Sequence, residues 1–260
     1  MFEVTRYEAN RRVRSTLALA VGLGLFGGLV IGIFPSIEAS GVDFEAYVES
    51  LPEALQESFG TTAFGTIEGF LATEFYQFAW VLLLGLYVAY AAGGTVAGRL
   101  DRLELVLAAP VSRSRVIVEK YVSLLTPIVV LNLLMPLFVY ASVLLVGESI
   151  SFVDLLLVHL FSVPYLLACT SIGLLLSVVL PRGDLAQRGG IAAVFLLFVL
   201  DSVTGPTDFE ALGAVSPTRY YDTTEILVEG TYDVGGAIIL LTAAFLLLAV
   251  ARAQFLRADI

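Results

Sequence analysis

Residues 121–147 read YVSLLTPIVVLNLLMPLFVYASVLLVG, an apolar run without one charged side chain. A helix crossing the hydrocarbon of a bilayer needs about 20 mainly apolar residues, because each residue rises about 1.5 Å. This stretch meets that requirement with room to spare. Similar runs lie on either side of it. Residues 16–37 and 75–98 precede it, both charge-free apart from their flanks, and 155–181 and 234–251 follow it. The composition agrees: 58% of the 260 residues are hydrophobic and 15% charged, where a soluble domain has about 45–50% and about 25%. Mean hydropathy is +0.91. So much apolar surface, gathered in long blocks, belongs in lipid.

The block at 189–203 is too short in apolar residues to span by itself and includes Asp201. Charge placement nevertheless requires a crossing there. Lys and Arg in short loops mark the cytoplasmic side. With six crossings, the cytoplasmic pieces carry every one of the 14 basic residues except Arg219, while most of the 24 acids fall on the other side. Five crossings would place Arg182 and Arg188 with the acidic run from Asp208 to Asp233. The expected fold is therefore an all-α membrane protein, a single transmembrane domain over residues 1–260, with six spanning helices and both termini cytoplasmic. Arg11, Arg12 and Arg14 precede the first apolar run. That run exceeds a signal-peptide core and has no small-x-small cleavage site after it, so it reads as a retained first span.

Gly24, Gly28 and Gly32 recur at four-residue spacing in the first span. Small residues let helix backbones approach closely in lipid, so this ridge is expected to carry tight helix packing, within the chain or with a second copy. Gly94 and Gly98 repeat the pattern more weakly. Pro127, Pro136 and Pro164 lie inside spans, where membrane helices tolerate them. Polar residues at membrane depth are few: Asn132, His159, Thr170, Ser171 and Asp201. An intramembrane ionisable group marks a candidate functional position. His159, about one turn inside the span, is expected near the interface, bonded to water or backbone. Asp201 is expected at the outer surface. No buried file of acids and bases suggests an ion-coupled carrier.

Two outer segments exceed plain turns. Phe44, Tyr47, Val48, Leu51 and Leu55 share one helical face, which predicts an amphipathic outer helix after the first span. Residues 201–233 form a second outer segment, long enough to fold back toward the membrane.

The chemistry of catalysis is thinly represented. Cys169 is the single cysteine and His159 the single histidine, so no multi-cysteine metal site is available and the usual catalytic toolkits are thin. There is no Gly-x-x-x-x-Gly-Lys-Ser/Thr phosphate loop, no His-Glu-x-x-His and no pair of intramembrane aspartates. No catalytic, metal or cofactor-binding residue is expected on this chain, and no nucleic-acid partner.

The loop between the second and third spans is more informative. It runs Arg99-Leu100-Asp101-Arg102-Leu103-Glu104-Leu105-Val106-Leu107-Ala108-Ala109-Pro110-Val111-Ser112-Arg113 and continues to Glu119-Lys120. Leu100, Leu103 and Leu107 share a helical face, and residues preceding Pro110 leave the α conformation. The reading is a short amphipathic helix presented to the cytosol, whose aliphatic face needs the headgroup layer or a partner protein to cover it. Lys120 reads as a residue that snorkels at the membrane entrance.

The run from Leu103 to Arg113 with the later Lys120 resembles the corresponding loop of ABC-2-type permeases, the membrane subunits of ATP-binding-cassette transporters. It is similar in particular to the permeases of nitrous-oxide-reductase maturation systems. Asp101-Arg102 stand where that family usually has Gly-Thr. The resemblance extends to the basic N-terminus, the six-span plan and the long segment between the fifth and sixth spans. It implies a multi-pass plasma-membrane exporter subunit that pairs with a second permease copy or homologue. A separate ABC ATPase would carry ATP and Mg²⁺. The loop would be the coupling helix, with Leu100, Leu103, Glu104, Leu107, Pro110 and Arg113 at the ATPase contact. A non-transporting membrane scaffold or assembly factor, a secondary carrier and a membrane enzyme are the alternatives. Substrate identity does not follow from the sequence.

Overall fold

The computed structural model describes residues 3–40, 65–96, 113–205 and 207–257. All regular structure among them is helical. Helix α1 is Glu3–Ala39, α3 is Arg113–Leu145, α4 is Phe152–Val179 and α5 is Gly183–Thr204. Between α1 and α3 lies α2, Ile67–Gly93, helical throughout. After α5 come two 3₁₀ turns, Glu210–Val215 and Pro217–Tyr220, then the short α6 (Thr223–Leu227) and finally α7 (Val234–Arg257). Six of these helices, all but α6, are long and apolar enough to cross a membrane.

Each span begins or ends some residues away from its apolar block. Helix α1 extends back through the arginine-rich N-terminal stretch, and α2 starts at Ile67 rather than Phe75. The fifth block, expected to be short, recruits Gly183 to Arg188, with Asp184, Gln187 and Arg188 among them, as its first turns. The resulting 22-residue helix reaches about 33 Å, enough to cross. Pro35, Pro127, Pro136 and Pro164 sit inside unbroken helices.

Helix α4 is central and touches four other spans: α7 lies along it, α2 and α5 flank it, and α3 also packs on it, while one face stays open at Leu156 and Leu160. Helix α1 packs mainly along α3. The interior is apolar, built around Phe75, Tyr76, Trp80, Tyr165 and Leu166. Large apolar side chains also cover the outside, such as Leu25 at 71% exposure, Leu145 at 86% and Phe245 at 69%. A water-soluble protein rarely presents such continuous apolar surface; lipid covers it here.

The closest approaches are not on the α1 ridge. A Cβ at Gly173 of α4 would collide with the carbonyl oxygen of Ala89 in α2, and one at Gly190 of α5 would lie 2.9 Å from the same oxygen. Gly93 of α2 similarly faces the Ala186 carbonyl of α5 at 2.7 Å. Three helices therefore meet backbone to backbone around Ala89. On α1, a Cβ at Gly24 or Gly28 would stand 3.6 Å from the ring of Phe138 in α3, ordinary van der Waals contact, and one at Gly32 would meet nothing within 4 Å.

Helix α2 is π-helical from Ala72 to Leu84. Wide i→i+5 turns are rare and mark functional or strained positions. Two of its carbonyls take side-chain donors: Tyr165 Oη bonds Val81 O at 2.7 Å and Thr223 Oγ1 bonds Ala72 O at 3.1 Å. Gly85 leaves the room that Tyr165 needs, since a Cβ there would sit 2.5 Å from the hydroxyl.

Candidate functional site

Three polar regions interrupt the apolar bundle. The first is buried between α2, α3 and α4. His159, 2% exposed, is bonded to side chains rather than to water or backbone as the sequence suggested. Its Nε2 is 3.1 Å from Tyr76 Oη and its Nδ1 is 3.2 Å from Asn132 Oδ1. Asn132 Nδ2 donates to Ile128 O at 2.8 Å, which turns Oδ1 toward the histidine. An amide oxygen only accepts, so Nδ1 carries the proton and Nε2 accepts from the Tyr76 hydroxyl. Ser162 Oγ, 2.8 Å from both Asn132 Oδ1 and His159 O, completes the network. The Trp80 ring stands edge-on to the imidazole, with centroids 4.5 Å apart. Full pairing is what makes such a group tolerable in an apolar interior.

Asn132 and His159 were legible as polar residues in apolar runs. Tyr76, Ser162, Tyr165 and Trp80 were not singled out, because single tyrosines and serines are common in spans. The only available signal was their number opposite the histidine. Thr170 and Ser171 bond carbonyls of their own helix, and Tyr121 Oη reaches Ser171 Oγ at 3.0 Å.

The second region lies at the bundle end opposite both termini. The segment after α5 folds down onto that end. Tyr221 Oη donates to Val158 O at 2.9 Å, and Tyr221, Thr223, Ile226 and Leu227 are buried. Around it opens a cavity of about 710 Å³ lined by residues that include Phe161, Asp201, Arg219, Asp222, Glu225 and Asp233. Asp201 is partly enclosed rather than at the open surface. Its carboxylate accepts from Thr218 Oγ1 at 2.8 Å and faces Arg219 at 3.9 Å. Arg219 also approaches Glu210 at 3.5 Å, so the one basic residue at this end of the bundle among the described residues is held between two acids. Asp222 caps α6 through Thr224 N and Glu225 N. Burial, followed by the charges of Asp222, Glu229 and Asp233, holds the Glu225 carboxyl above its ordinary value.

The third region lies at the termini end. Lys120 is 5% exposed and does not snorkel. Its Nζ donates to Thr95 O at 2.9 Å, at the C-terminal end of α2, where a cation complements the helix dipole. Arg115 pairs with the buried Glu119 at 2.6 Å, and Arg252 of α7 reaches Ser114 Oγ at 2.6 Å. These bonds tie together the ends of α2, α3 and α7 on either side of residues 97–112. Leu100, Leu103, Glu104, Leu107 and Pro110 lie outside the described residues, as does the outer segment from Phe44 to Leu55. Arg113 is the first residue of α3.

Six helices long and apolar enough to cross a membrane define a polytopic helical membrane protein. The family described as ABC-2 family transporter protein matches residues 3–260, so the chain belongs to that family. No curated protein matches the chain.

Proposed function

We propose that this chain is the permease subunit of an ABC exporter, paired with a second permease and driven by a separate ATPase. The observation that carries this reading is family membership over the whole chain, in a sequence that has no phosphate-binding loop of its own. Members of this family are membrane domains of ABC transporters, generally not catalytic themselves. In this reading the end bearing both termini is cytosolic, which its excess of Lys and Arg supports, the acidic cavity is outside and the membrane is the plasma membrane.

In this reading residues 97–112 form the coupling contact. Leu100, Leu103 and Leu107 bury their aliphatic face in the ATPase, Glu104 and Arg113 form polar contacts at its rim, and Pro110 ends the element. ATP-driven closure of the ATPase pair biases the permease between two states. The joint of Lys120 with Thr95 is well placed to receive that motion, because it fastens α2 to α3 beside the contact.

Co-purification in mild detergent tests the reading. The candidate ATPase should accompany the wild-type chain and be released by the double substitution Leu103→Asp, Leu107→Asp, while the variant stays membrane-inserted. An ATPase that fails to associate under every nucleotide condition overturns the proposal and favours a scaffold or carrier.

A further inference from the structure

A second opening adjoins the acidic cavity. It is an apolar groove of about 360 Å³ between α4 and α7, lined by Leu160, Val163, Pro164, Ala237, Ile238 and Leu241 among others. Phe161 lines both spaces. Its ring packs against Tyr232 with centroids 5.3 Å apart, so an aromatic edge stands where the polar and apolar spaces meet. The groove lies on the outside of the bundle: Leu160 is 63% exposed and Ile238 59%.

The two spaces differ in chemistry in a way that selects a ligand. The cavity has four carboxylates, Asp201, Asp222, Glu225 and Asp233, against the single guanidinium of Arg219. Arg219 is already committed to Asp201 and Glu210. The carboxylates of Asp222 and Asp233 act on Glu225 as like charges. Yet no three His, Cys, Asp or Glu groups among the described residues converge closely enough to hold a metal ion. The negative charge is spread over a space of the volume that takes a small organic molecule. Tyr220 and Tyr221 are also in its wall, and aromatic rings attract diffuse organic cations. The groove beside it suits an aliphatic chain and nothing polar.

We infer that the cavity and the groove form one bipartite site for a single-chain cationic amphiphile, its ammonium headgroup among the outer carboxylates and its chain between α4 and α7. The class of cargo follows if the permease reading holds, on which this assignment of a transport role rests. The site itself does not depend on an ATPase. Glu225 and Asp233 supply attraction to the headgroup, and Ala237 leaves the width that the chain occupies.

The test uses the full-length chain in zwitterionic nanodiscs, without nucleotide, and radiolabelled decyltrimethylammonium as probe. Saturable binding above empty nanodiscs is expected. Decyl sulfate should not compete, since its headgroup is an anion, and tetramethylammonium should compete weakly because it lacks the chain. Glu225→Gln with Asp233→Asn should weaken binding on the order of tenfold, from a few-fold for each exposed charge removed. Asn at 233 keeps the capacity to cap α7, so the helix start survives. Ala237→Trp fills the groove and should also weaken binding by roughly tenfold. A diazirine at the chain terminus of the probe should label the 160–164 or 234–241 stretches, a readout that needs no variant to fold. Equal competition by decyl sulfate, labelling confined to other helices, or unchanged affinity in both folded variants overturns the inference. Absent binding in a chain that recruits its ATPase refutes the site alone. Intact binding in a chain that recruits none refutes the permease reading alone.

Discussion

Replacing Tyr76 by Phe removes one hydroxyl from the centre of the bundle. The hydroxyl donates to His159 Nε2 over 3.1 Å, and the rest of the ring is packed against Phe75, Trp80 and His159. Phe keeps that ring, so the change isolates the hydrogen bond. A neutral bond contributes about 0.5–1.5 kcal/mol net, and a buried acceptor left without a donor costs about 1–3 kcal/mol. Bonds between membrane helices are measured lower, averaging about 0.6 kcal/mol with a maximum near 1.7, because the unfolded chain in lipid finds other partners. Tyr76 and His159 are both enclosed, so the upper part of that range applies, about 1–1.7 kcal/mol. Trp80 is the only tryptophan of the chain, and its ring lies against His159. Its fluorescence therefore reports on this site during reversible unfolding in mixed detergent micelles. Asn132→Leu should cost at least as much, since it strands His159 Nδ1 and leaves Ser162 Oγ only its bond to His159 O. A Tyr76→Phe loss below about 0.3 kcal/mol, or nitrogen NMR shifts placing the imidazole proton on Nε2, would refute the assigned direction of the network.

Other outcomes follow from the same structure. Gly173→Ala should destabilise the bundle by about 1–3 kcal/mol or more, because the added methyl meets the Ala89 backbone; Gly32→Ala, facing open space, should stay within about 0.5 kcal/mol in the same unfolding assay. Lys120→Met should speed hydrogen exchange of the last amides of α2 by roughly tenfold, since it removes a charge-assisted bond to Thr95 O, and Lys120→Arg should restore part of the protection. Glu225 is harder to ionise in the folded chain than in the unfolded one. Its penalty is therefore absent below the ordinary carboxylate value and complete above the raised one, so stability falls as pH rises through that window. Glu225→Gln should flatten that part of a stability-against-pH profile, and a profile unchanged by the substitution would refute the attribution.

How much of this was legible in the sequence depended on whether lipid or a neighbouring helix decided the matter. Lipid imposes a length and an apolarity on each span, and those are local properties. The fifth helix shows the limit: its first turns are polar, so an apolarity criterion misses Gly183 to Arg188 although the backbone simply continues. Lys120 was misread for a related reason. Its position next to an apolar block suggests snorkelling, and only the arrival of the Thr95 carbonyl from another helix turns the ammonium inward. The partners of His159 were out of reach for the same reason: Tyr76 and Asn132, far away in sequence, make the bonds expected from water or backbone. The glycine ridge of α1 was plain as a pattern, whereas the tightest contacts use Gly173 and Gly190, which have no second glycine four residues away on their helices. The π-helical stretch of α2 has no sequence signature at all, because a widened turn is stabilised by partners such as Tyr165 and Thr223 that belong to other elements.

The meeting of α2, α4 and α5 around Ala89 has a mechanical consequence. Side chains between two helices act as a compliant layer, able to change rotamer and let the helices slide. Where backbone touches backbone that layer is missing, so these three helices behave as one stiff strut at the height of Gly173. Any transport stroke must then take place by rocking the α1–α3 pair, or α7, against the strut, and the deformation concentrates at the few polar ties that cross the joint.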